Sequence, residues 1–208
     1  MPDSGFETLW EWRRLVADLY AEVRAMPDPR AAWLHWRQVR DRLYREHPQT
    51  PLEQTAGFTG LPFFDYDPAM RFQVGMEAFE GPELLLPAGG DGHLRLRPFA
   101  RTAGLQAALG NELTVYWLLG YCGGVFLPFA DATSGRETYG AGRYLLDTIK
   151  SADLGTAPDG RTVLDFNFAY NPSCAYSVRY LCPLAPMENR LQVAVRAGEM
   201  EPGQSPLP

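Results

Sequence analysis

The chain has 208 residues, 46% of them hydrophobic and 21% charged, with a formal net charge of −6. That is enough apolar material for one sizeable core, and the acidic balance disfavours a nucleic-acid partner, whose phosphates attract basic surfaces. The longest apolar run, 113–129, is broken by Gly120, Gly123, Gly124 and Pro128, so no membrane-spanning segment is expected.

The opening MPDSGFETLWEW carries acids where a signal peptide carries bases, and a cytoplasmic location is expected. Ser4 and Glu7 read as a capping box. Leu9, Trp12, Val16, Leu19, Val23 and Met26 then recur at spacings of three and four, which predicts a first helix with one apolar stripe. Asp28 and Pro29 supply an N-cap and a first-turn proline for a second helix, with Ala32, Trp36, Val39 and Leu43 inward and Pro48 beyond its end. Two such stripes need a partner, and Trp10 and Trp33 widen the apolar surface. The hairpin of residues 1–48 is therefore expected to pack on the rest of the protein or to support a homodimer.

From residue 71 the period falls to two. Phe72, Val74 and Met76 alternate with Arg71, Gln73 and Glu77, predicting a half-buried strand. Short strands follow at 84–86 and 93–97 around a turn at Gly89–Gly92. Then comes a hairpin of 113–121 and 125–129, in which Gly123 and Gly124 are expected to supply positive φ angles. Further strands are predicted at 143–149, 162–170 and 190–196, about eight in all. The expected fold is mainly β: an antiparallel barrel or sandwich over residues 49–197, with 198–208 a flexible tail.

Chemistry-bearing residues concentrate in two segments. PFADATSGRETYGAGRYL (128–145) puts Asp131, Thr133, Glu137, Tyr139 and Arg143 in one glycine-rich loop, without the lysine and hydroxyl pair of a phosphate-binding loop. LDFNFAYNPSCAYSVRYLCPLAPMENRL (164–191) carries Asp165, Asn167, Tyr170, Asn171, Cys174, Glu188 and Asn189, with Asp165 and Asn167 expected on one strand face. Cys122, Cys174 and Cys182 are too few for a secreted disulfide framework, although Cys174 and Cys182 could lie close together. The three histidines, His35, His47 and His93, are placed neither to complete a cysteine metal site nor to serve a cysteine nucleophile, so no metal or cofactor is expected.

These two segments resemble the family of bacterial and archaeal proteins known as domain of unknown function 1684. Its pattern PF.D.T.G..TY..GRYL is matched by Pro128, Phe129, Asp131, Thr133, Gly135, Thr138, Tyr139, Gly142 and Arg143. DFN.AYNP.CAY and CPL.P.EN.L are matched by Asp165, Asn167, Tyr170, Asn171, Pro172, Cys174, Tyr176, Cys182, Pro183, Glu188 and Asn189. The upstream HPQTPL and GLPFFDYDP are similar to one branch of that family. The resemblance implies no activity.

Two readings of the residues stand side by side. In one, the loop 131–143 and the segment 165–189 line a site for a small polar or anionic ligand, oriented by Arg143. In the other, Asp131 and Thr133 cap the turn, a carboxylate holds Arg143, and the domain is structural or makes protein contacts through the aromatic hairpin.

Overall fold

A computed structural model describes residues 5–87, 93–121 and 123–203. The expected turn at Gly89–Gly92, the cap at Ser4 and Cys122 lie outside the described residues.

Helix α1 (Phe6–Ala25) starts after Gly5, which takes a left-handed backbone with φ 71°. Helix α2 (Pro29–Glu46) starts as its sequence dictates: the Asp28 carboxylate accepts from the amides of Arg30 and Ala31, and Pro29 occupies the first turn. Leu19, Tyr20 and Val23 of α1 meet Ala32, Trp33, Trp36 and Tyr44 of α2 in one buried cluster. That cluster continues into Leu96, Tyr116, Phe126, Tyr144 and Phe168 of the β region, so the hairpin spends its stripes on the body of the protein.

Among the described residues seven strands follow: β1 (Arg71–Ala78), β2 (Leu84–Pro87), β3 (His93–Ala103), β4 (Thr114–Leu118), β5 (Gly124–Phe129), β6 (Arg143–Asp147) and β7 (Thr162–Asp165). A four-residue helix, α3 (Gln106–Leu109), lies between β3 and β4. The sheet runs β6-β5-β4-β3-β1-β7, with β2 also paired to β3, and every pair is antiparallel. It is nearly closed into a barrel. β1 changes partner halfway, Arg71–Val74 pairing with β7 and Gly75–Ala78 with β3. Tyr144 and Tyr170 exchange backbone hydrogen bonds of 2.9 and 3.2 Å, tying β6 to the chain beyond β7. Pro98 and Pro128 cannot donate to a ladder, and each sits at a register shift. Val74, Leu105, Leu113, Val115, Leu127, Phe129, Leu164 and Phe166 belong to a second buried cluster.

Four expectations are corrected. The strand read over 162–170 ends at Asp165, whose carboxylate accepts from the amide of Asn167 and turns the chain into a 3-10 turn, Phe166–Phe168. Residues 190–196 form no strand: they meet 130–132 through one isolated parallel bridge, Ala130–Arg190, and the pairing stops at Val195, whose amide and carbonyl are taken by the Asp131 and Arg143 side chains. Gly123 and Gly124 do not carry the positive φ, which falls on Gly120 at 141°. They are needed for space: a Cβ at Gly123 would lie 2.6 Å from Trp117 Nε1, and one at Gly124 2.6 Å from Thr148 Oγ1. Finally, Glu199 and Met200, assigned to a flexible tail, are buried.

Candidate functional site

The loop between β5 and β6 is built around Asp131. Its Oδ1 accepts from the Thr133 amide and hydroxyl at 2.8 and 2.6 Å and from the Val195 amide at 3.1 Å. Its Oδ2 accepts from Arg143 Nη2 at 2.9 Å. Thr133 in turn shares its hydroxyl with Thr138 at 2.8 Å. Arg143 is 1% exposed and donates to the carbonyls of Val195 at 2.9 Å, Glu199 at 3.2 Å and Ala197. Burial draws its pKa down while Asp131 opposes the shift. The guanidinium thus clamps the 195–199 segment to the end of the barrel. Gly142, next to it, has φ 94°, and a Cβ there would lie 2.5 Å from the carbonyl oxygen of Phe129. Glu137 does not join this group; it pairs with Arg196 at 2.8 and 2.9 Å.

The second segment is spread over several places. Asn167 fills its amide on Asp165 at 2.7 Å and on the carbonyl of Asp67 at 2.8 Å, and its Oδ1 accepts from the Asp67 amide. Asn189 bridges β4 and β5 by donating to the carbonyls of Thr114 and Pro128, both at 2.8 Å. Glu188 accepts from the Tyr116 hydroxyl at 2.6 Å. Burial raises the pKa of Asp165, and the bonds from Asn167 and Arg71 only partly offset it. These side chains are engaged within the fold.

Tyr170 and Asn171 are placed differently. They line a chamber of 150 Å³ between the hairpin and the barrel, walled by Trp12, Tyr20, Trp36, Arg40 and Tyr44. A larger cavity of 460 Å³, lined mainly by apolar side chains such as Leu94, Leu118, Phe126 and Leu181, adjoins it. The two share Ile149, Lys150 and Ser173 in their walls. The sequence did not single out Arg40 or Glu199, which organise the inner chamber. Arg40 Nη2 lies 3.1 Å from Glu199 Oε2 and 2.9 Å from the Tyr44 hydroxyl. Glu199 also accepts from the Tyr176 hydroxyl and the Asn171 amide, each at 2.5 Å. Burial raises the pKa of Tyr20, Tyr44, Tyr170 and Tyr176, so all four phenols keep their protons at neutral pH. Two buried polar atoms of the lining, Arg40 Nε and Asn171 Oδ1, have no partner among the described residues. At the junction, Lys150 Nζ is 2.8 Å and the Tyr170 hydroxyl 3.3 Å from Asp147 Oδ2.

Cys174 and Cys182 are brought together. The Cys174 amide donates to Cys182 Sγ at 3.4 Å, and the Tyr139 hydroxyl lies 3.5 Å from Cys174 Sγ. Cys182 also lines the larger cavity.

Taken together, these features define a helix-capped antiparallel barrel domain held by a buried Arg–Asp clamp, with an aromatic chamber beneath the helices. The chain belongs to the family described as protein of unknown function DUF1684, whose pattern matches residues 56–200. It is similar to an uncharacterised protein of Haloarcula marismortui solved by solution NMR, at 34% identity over 79% of this chain and 89% of that one, with a TM-score of 0.55. No curated protein matches the chain. No helix among the described residues is long and apolar enough to cross a membrane.

Proposed function

We propose that the protein binds a small, neutral aromatic molecule bearing both a hydrogen-bond donor and an acceptor, in the chamber between the helical hairpin and the barrel. The observation that carries this reading is the chamber's wall of aromatic rings, Trp12, Tyr20, Trp36, Tyr44 and Tyr170, interrupted by the polar side chains of Arg40 and Asn171. Small-molecule sites combine apolar rings with a few polar groups that orient the ligand, and Arg40 and Asn171 are placed to offer a donor and an acceptor. Support for a neutral rather than anionic head comes from two cations of the lining that are already paired, Arg40 with Glu199 and Lys150 with Asp147, while the third, Arg13, lies exposed. A chamber of about this volume has room for one benzene-sized ring. The adjoining cavity supplies the approach.

Benzamide, benzene and benzoate serve as probes in thermal denaturation and NMR titration. Benzamide should raise the melting midpoint with concentration, benzene less so and benzoate least. Val16→Phe, which fills the chamber from α1, should abolish the benzamide shift while leaving the protein folded. Stabilisation by benzoate alone, or an unchanged benzamide response in Val16→Phe, would overturn the assignment.

A further inference from the structure

Cys174 and Cys182 stand eight positions apart in sequence, yet the chain folds back so that the amide of one donates to the sulfur of the other at 3.4 Å. Neither is sealed from solvent; both are half-buried. The segment between them is exposed and apolar at its tip, with Val178 94% and Leu181 56% exposed. No cluster of three or more His, Cys, Asp or Glu suited to a metal occurs among the described residues, so the two sulfurs are not part of a larger ligand set. We propose that Cys174 and Cys182 form a dithiol–disulfide couple that exchanges with low-molecular-weight disulfides.

The surroundings divide the labour between the two sulfurs. The hydrogen bond from the Cys182 thiol lowers the pKa of Cys174 to about 6, against the effect of burial and with help from the Tyr139 hydroxyl. The same contact, with burial, raises Cys182. At neutral pH Cys174 is therefore the thiolate, which is the form that attacks, and Cys182 holds the proton. Cys174 Sγ attacks one sulfur of the disulfide RSSR; the S–S bond breaks, a Cys174–SR bond forms, and RS⁻ leaves and takes the Cys182 proton. Cys182 Sγ then attacks Cys174 Sγ, the mixed disulfide breaks, and the second RS⁻ departs. The protein is oxidised by two electrons as RSSR is reduced to RSH and RS⁻, and excess small thiol reverses the sequence. This does not depend on the chamber holding a ligand.

Trypsin separates the pair because Arg179 lies between them, giving peptides 162–179 and 180–190. After treatment of the native protein with 2-hydroxyethyl disulfide, mass spectrometry should find these two peptides linked and no lasting adduct. Cys182→Ser should trap a hydroxyethylthio adduct on Cys174, and Cys174→Ser should form an adduct on Cys182 about tenfold more slowly. Alkylation of Cys174 by iodoacetamide in the wild-type protein should rise with a midpoint near pH 6, and Tyr139→Phe should move it upward. A wild-type adduct that persists on Cys174, a link to Cys122 instead, or alkylation that rises only in the range of an ordinary thiol would overturn the couple. The wild-type peptide map and pH profile need no variant, so a substitution that fails to fold leaves the test intact.

Discussion

Arg143 holds a full positive charge where water does not reach, and the surroundings offset it with Asp131 and the carbonyls of Val195, Ala197 and Glu199. Arg143→Ala would leave Asp131 buried and unpaired and three acceptors unmet. Its expected cost is on the order of 3–5 kcal/mol in urea or thermal denaturation. Arg143→Lys should recover little of that, since an ammonium lacks the planar fork that serves several acceptors at once. Arg95→Ala is the comparison: that side chain meets Glu83 on the surface at 2.7 Å and should cost roughly 0–1 kcal/mol. A clamp of equal weight at both positions would contradict the structure. The Asp131–Thr133 turn was legible in the sequence because the interaction is local, an Asx turn spanning two residues. The Arg40–Glu199 pair was not, because its partners lie 159 positions apart and Glu199 stands in a stretch that reads as tail.

Short elements depend on side chains that finish their hydrogen bonding, and α3 is the clearest instance. One oxygen of Glu112 accepts from the amides of Gly104, Leu105 and Gln106 at 2.9, 2.9 and 2.8 Å, and the other takes the Thr102 hydroxyl at 2.6 Å. Burial alone would raise the Glu112 pKa, but these bonds outweigh it and the net shift is downward. A carboxyl depressed in the folded state contributes stability that is present above its unfolded pKa and lost as pH falls through the folded value. Urea midpoints between pH 7 and pH 3 should therefore show an acid limb that Glu112→Gln flattens, and Glu112→Ala should cost about 0.5–1.5 kcal/mol at pH 7, because water can reach part of this site. An acid limb unchanged in Glu112→Gln would refute this role. Elements with a strong period, such as α1, α2 and β1, could be read from the chain, but β3 only in its first half, 93–97, since it runs on to Ala103. The end of β7 could not, since the alternation of 162–170 continues past Asp165 while its carboxylate turns the backbone. The sulfur pair was legible only as a proximity, because spacing says nothing of which hydrogen bonds the thiols make.

At the scale of the molecule, the helical hairpin and the barrel share one core. Leu96, Tyr116, Phe126 and Phe168 belong to the same buried cluster as the inner faces of α1 and α2, and Trp33 Nε1 donates to the carbonyl of Asn167 at 2.9 Å. Deleting residues 1–48 removes the helical part of that cluster and exposes its partners, so the remainder should aggregate, as read by light scattering. A well-folded monomer lacking the hairpin would refute the shared core. On the full-length chain the apolar surface still open on α1 is Phe6 and Trp10, the latter 63% exposed with Arg14 over its ring. The same light scattering reads whether a second copy covers it.

The clamp at Arg143 also sets a timetable. A ribosome delivers the hairpin and all the strands before residues 195–199, so Arg143 and Asp131 leave the exit tunnel ahead of the carbonyls and amide that complete their site. Until then the barrel end would have to bury an unfinished charge pair or keep it wet. Nascent chains whose emerged part stops before Val195 should thus remain protease-sensitive around β6, and those carried on a C-terminal linker long enough to bring Met200 out of the tunnel should not. Quality control acting on such chains would in effect be checking whether translation reached the stretch of sequence that looks least like structure.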